Sequence, residues 1–165
     1  MGPADLPRRG RSALARPGHG GHTEGVFTHL LVGYDGSAGS QAALTAALTL
    51  ARESGARVTV ATVQHHLPRY GATVGEVDEE RQVEAADARR LANEIQAHAD
   101  EESLTVATRV AIGHPAQELV KTAKDVGADL IVLGHSGHSA IWDTFLGSVA
   151  EKVSRHAPCS VLIVR

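Results

Sequence analysis

Five short runs of aliphatic and β-branched residues alternate along this chain with longer segments whose apolar residues recur every three or four positions. The runs are His29–Gly33 (HLLVG), Arg57–Val63 (RVTVATV), Leu104–Ile112, Asp129–Leu133 and Ser160–Val164. Leu130-Ile131-Val132-Leu133 is apolar at every position, so it reads as a strand buried on both faces. Between the runs lie helical patterns. One extends to about Ser54, with Ala43, Ala46, Ala47, Leu50 and Ala51 on one face. Ser40 is its expected N-cap and Gly55 its stop. A second covers about Val77 to Asp100, with Ala88, Leu91, Ala92, Ile95 and Ala99 in line. Pro115 opens a third, which Gly127 ends. Pro158 closes a fourth near His156.

Strand and helix alternating five times predict an α/β domain: a doubly wound, five-stranded parallel sheet, order 3-2-1-4-5, with helices on both faces. Such sheets bind ligands beyond the strands' carboxyl ends, where the strand order reverses. Here the reversal falls between the first and fourth strands. Asp35 follows the first, in Tyr34-Asp35-Gly36-Ser37, and Gly134 follows the fourth. Two separately noticed motifs thus meet at one crevice.

The second motif is Gly134, Gly137, Gly147 and Ser148, spaced G-x2-G-x9-G-S. Glycines at a strand's carboxyl end let backbone N–H groups approach an anion. Gly147-Ser148 stands at a helix start, where free amides and the dipole favour phosphate. Two such turns suit an oligophosphate. The blander reading is that the glycines serve turns alone.

These residues, in VLGHSG and FLGSVAEKV, resemble the nucleotide-binding signature of the universal stress protein family. So do LLVGYDGS (Leu30–Ser37), GHPAQELV (Gly113–Val120) and CSVLIVR (Cys159–Arg165). The resemblance covers residues 28–165 and implies an adenine nucleotide alpha hydrolase-like fold. It implies that Gly134, Gly137, Gly147, Ser148 and the Val149 backbone meet the phosphates and ribose of ATP. Asp35 would take a ribose hydroxyl or Mg²⁺ accompanying ATP, against an ordinary Asp-Gly turn role. Val63 matches a position that packs on adenine, with Ala111 or Ile112 on the other side of the base. The resemblance also implies a homodimer through the last strand, 160–164, whose bare aliphatic edge would otherwise be a pairing hazard.

No G-x4-G-K-[ST] loop and no nucleophile–base constellation is present, so binding with little or no hydrolysis is expected, at most a weak ATPase. The function implied is an ATP-binding stress sensor or regulator acting on a protein partner. The alternatives are a slow nucleotide hydrolase or transferase of the same fold, or a nucleotide-free interaction module.

Composition sets the remaining bounds. At 165 residues with 42% apolar content the chain makes one domain, and with 3% aromatics its core must be aliphatic. A net charge of −3 argues against a nucleic-acid surface, and no run is long enough to span a membrane. The single cysteine, Cys159, fits a reducing, cytoplasmic setting and reads as a small packed residue. Residues 1–27, rich in Gly, Pro, Arg and His, read as a disordered tail. From Glu76 to Glu102, ten carboxylates face three arginines, which reads as a solvated helix face. His65, His66, His114, His135 and His138 all follow predicted strand ends. If at least two face the crevice, a nucleotide binds tighter in mildly acidic solution. Trp142 is expected to anchor the loop between the glycine turns.

Overall fold

The structure is a computed structural model. It describes residues 26–64, 74–136 and 146–165, with backbone alone for 74–81. Most of the predicted tail lies outside these residues, as do His65, His66, Gly137, His138 and Trp142.

The elements are β1 (His29–Gly33), α1 (Ala38–Ser54), β2 (Arg57–Gln64), α2 (Val74–Glu101), β3 (Val106–Ile112), α3 (Pro115–Val126), β4 (Leu130–Gly134), α4 (Ser148–His156) and β5 (Ser160–Val164). All strand pairs are parallel, in the order β3-β2-β1-β4-β5. Helix boundaries follow local chemistry. Gly55 and Gly127 end α1 and α3 at φ 73° and 67°, the left-handed conformation that a side chain opposes. Ser37, not Ser40, is the N-cap of α1: its hydroxyl accepts the Ser40 N–H at 3.2 Å. Ser40 sits one turn inside and donates its own hydroxyl back to Ser37 O at 2.9 Å. β3 begins two residues later than the sequence suggests. Ser103 turns at φ 55° and the Leu104 N–H closes on Ala99 O, which extends the end of α2.

The sheet separates two aliphatic layers. Leu30, Val32, Val60 and Val132 face α1 and α2, where Leu44, Leu48 and Ile95 complete a buried cluster. Leu31, Ala61, Ile131 and Leu133 face α3 and α4, against Leu119, Ala123, Ala150 and Val153. Burying a side chain of this size stabilises the fold by about 1.5–3 kcal/mol. Cys159 packs at the margin of the second layer, where burial pushes its thiol pKa up.

Two contacts set the geometry around the sheet's reversal. At the upper end, α1 meets β4 with no side chain between them. A Cβ built on Gly134 would lie 2.4 Å from the carbonyl carbon of Gly39, and one on Gly39 would lie 2.1 Å from Ser136 O. At the lower end, Asp129 joins β4 to β1. Its carboxylate accepts from Thr28 N at 2.8 Å, Thr28 Oγ1 at 2.7 Å and His29 N at 3.0 Å. Burial alone would raise that carboxyl's pKa, but the bonds from Thr28 and His29 outweigh it and the net shift is downward.

Gly134→Ala should therefore destabilise the fold by about 1–3 kcal/mol, because both backbones must separate. Chemical denaturation of variant and parent would measure this, and an unchanged midpoint would contradict the close approach. A second expectation concerns His29, which is 5% exposed and has Nε2 2.8 Å from Thr59 Oγ1. Its Nδ1 is buried without a partner. Burial, with help from the Arg57 charge, lowers its pKa, while the Val126 backbone and then the Asp129 charge pull the other way. The folded state thus prefers the neutral ring. Stability from this preference is full above the ordinary imidazole range and declines as pH falls through it. His29→Gln should flatten the stability profile between neutral and mildly acidic pH. Equal slopes in the two proteins would refute the assignment.

Candidate functional site

A cavity of about 400 Å³ opens at the carboxyl ends of the central strands, within the size range of small-molecule sites. Its floor is Gly33, Ala61 and Leu133. One wall is the end of β2, Thr62 to Gln64. The opposite wall is the turn after β4 together with the first turn of α4. α2 closes the side with Glu84, Asp87, Ala88 and Leu91.

Of the sequence-predicted residues, Asp35, Val63, Gly134, Gly147, Ser148 and Val149 all line this one cavity. Gly137 lies outside the described residues. Neither Ala111 nor Ile112 lines it. β3 is the outer neighbour of β2, and Ile112 is 62% exposed. α2 contributes Ala88 and Leu91 to the lining. Of the rim histidines, His135 lines the cavity and is 7% exposed, whereas His114 is exposed at the start of α3 and does not. Lys152 is also absent from the lining.

Local structure explains how these groups are held. The Asp35 carboxylate accepts the Ser37 N–H at 3.0 Å, and the Asp35 N–H reaches Ser40 Oγ at 3.3 Å. The turn role and the rim position therefore coexist, since a carboxylate has further lone pairs. Gly147 is the N-cap of α4 and brings no capping side chain. Its N–H donates to His135 O at 2.9 Å, so that amide is engaged within the protein. The first helical bond of α4 runs from Glu151 N–H to Gly147 O. The amides of Ser148, Val149 and Ala150 precede it and have no acceptor inside the helix. All three residues line the cavity. Such a set of amides can donate to an anion; it includes the expected Ser148 and Val149, adds Ala150, and leaves out Gly147.

α2 is anchored over the β1–α1 turn by a polar chain. Tyr34, 3% exposed, donates to Glu94 Oε2 at 3.0 Å. Burial, then Glu94, pushes the phenol's pKa up to about 12. Arg90 bridges Glu94 at 2.7 Å and Asp87 at 2.8 Å. Gly36, at φ 79°, lets Leu91 close in, for a Cβ there would lie 2.8 Å from Leu91 Cδ2. Little in the sequence announces this wall. Asp87 and Glu94 looked like members of a solvated acidic face; their one signal was adjacency to the apolar stripe at Ala88 and Leu91.

Comparison with known proteins agrees with this architecture. The universal stress protein family model matches residues 27–165. The universal stress protein YxiE of Bacillus subtilis is 34% identical over 148 residues, covering 85% of this chain and 100% of that one. The solved structure of universal stress protein UspA from Lactobacillus plantarum matches with a TM-score of 0.75 at 26% identity, over 84% of this chain and 97% of that one. A universal stress protein crystallised in complex with cAMP matches with a TM-score of 0.65 at 28% identity, over the same shares of the two chains. The sheet order, the cavity at its reversal and these matches together show that the chain belongs to the universal stress protein family.

Proposed function

We propose that this protein binds an adenine nucleotide, ATP with Mg²⁺ foremost, and acts as a nucleotide-dependent regulator under stress rather than as a metabolic enzyme. The observation that carries the reading is the uncapped start of α4 facing Asp35 across a single cavity. Amides of Ser148, Val149 and Ala150 suit phosphate oxygens. The Asp35 carboxylate suits the ribose hydroxyls, which are donors. The half-buried Val63 offers an apolar surface to a planar base, with Ala88 and Leu91 available from α2. The relative in complex with cAMP supports the nucleotide class. Mg²⁺ would come with the phosphates and offset part of their charge.

Slow turnover is part of the proposal. Rapid phosphoryl transfer draws on cationic clamps around the departing group. Among the described lining residues there is no lysine or arginine. Nucleotide occupancy would then be the signal that a protein partner reads.

Isothermal titration with ATP, ADP, AMP, cAMP and GTP tests the reading. Adenine nucleotides should bind and GTP should bind more weakly. Asp35→Asn should weaken ATP by about tenfold, the scale of losing a hydrogen bond to a charged group. An absence of heat with every adenine nucleotide would end the proposal.

We further infer a homodimer across β5. This strand pairs with β4 on one side, ends the sheet on the other, and leaves Leu162 39% exposed. Sedimentation analysis at micromolar concentration should show a dimer, and Leu162→Arg should shift it towards monomer. A monomeric parent would refute this.

A further inference from the structure

The described side chains that line the cavity offer a polyphosphate no lysine or arginine. The charged ones among them are Asp35, Glu84 and Asp87, all acidic. The start of α4 offers about half a positive charge plus its amides. A terminal phosphate alone carries about −1.5 to −2. Magnesium would offset part of the difference. A side-chain cation beside the α4 start would offset more and would distinguish long phosphate chains from short ones.

Arg165 is placed to be that cation. β5 pairs with β4 so that Gly134 lies opposite Val164, and the His135 N–H donates to Val164 O at 2.7 Å. The chain therefore leaves β5 beside His135. Arg165 Nη2 lies 3.3 Å from His135 Nε2. Arginine can only donate, so that imidazole nitrogen accepts and the ring proton sits on Nδ1. The same His135 holds Gly147, the first residue before α4, through its carbonyl. His135 and Ser136 also border a second recess of about 370 Å³, which Arg165 lines. Among the described arginines, Arg52, Arg90 and Arg155 have a carboxylate within 4.0 Å, whereas Arg57, Arg89, Arg109 and Arg165 do not. The Arg165 guanidinium lies against His135, which borders both the second recess and the cavity that Arg165 itself does not line.

We propose that Arg165 is a specificity-determining residue that reads the terminal phosphate of the bound nucleotide, with His135 as the positioning residue that keeps the guanidinium at the rim. The proposal rests on the adenine-nucleotide reading above. The planar fork of arginine has five N–H donors, so one can stay on His135 while the others meet two phosphate oxygens at once. The site then prefers triphosphate to monophosphate with no lysine or arginine among its described lining residues.

The experiment is the ratio of ATP to AMP affinity, measured by calorimetry at low salt with and without Mg²⁺. Arg165→Gln should lower this ratio by about tenfold, equivalent to about 1.4 kcal/mol. Arg165→Lys should recover part of it, since it keeps the charge but loses the fork. Arg109→Gln, removing the same charge from the opposite edge strand, should leave the ratio unchanged. His135→Gln should lower the ratio less than Arg165→Gln does, because the cation remains but is no longer held. An ATP to AMP ratio unaltered in Arg165→Gln, in a parent that binds both, would overturn the role of Arg165 alone. A parent that binds neither would overturn the nucleotide reading as well.

Discussion

Gly39 lies against Gly134 backbone to backbone, and the upper half of the molecule depends on that contact. It brings the first turn of α1 down onto the end of β4. It thereby fixes the spacing between the turn after β1 and the turn after β4, the two sides of the sheet's reversal. Asp35 projects from the first side. His135, Gly147 and the start of α4 are held on the second through His135 N–H to Val164 O and Gly147 N–H to His135 O. A methyl group at either glycine would push the two turns apart, and the cavity would lose its shape before it lost a single lining residue.

That arrangement changes the meaning of the glycine motif. Gly134 is a glycine because a helix passes over it, and Gly147 because His135 O would lie 3.0 Å from its Cβ. Both let α4 begin, uncapped, at the cavity wall. The amides left without a helical acceptor are those of the next three residues, Ser148 to Ala150. A steric rule and an electrostatic one act on neighbouring positions, and only coordinates separate them.

What could be read from the chain follows from the range of the interactions involved. The strands were legible because each is a short run of aliphatic and β-branched residues, and β1, β2 and β4 are buried along most of their length. Gly55, Pro115 and Gly127 marked helix ends through local backbone chemistry. Ser37 and Ser40 were confused because both suit a cap, and the choice depends on where the turn after Asp35 releases the chain. The α2 wall was missed for a different reason. Its position is set by Tyr34 reaching Glu94 sixty residues away, and by Gly36 admitting Leu91. No periodicity within α2 reports those contacts. Ala111 and Ile112 do not line the cavity, because β3 lies outside β2 at the sheet's edge.

The central claim is that the free amides opening α4 are where the anionic end of a nucleotide sits. The most direct measurement follows the backbone amide resonances of Ser148, Val149 and Ala150 during titration with AMP and, separately, with adenosine. The account predicts large shifts at these three amides with AMP and much smaller ones with adenosine, while Val63 responds to both. Shifts of the same size with and without the phosphate, or none at the start of α4, would contradict it.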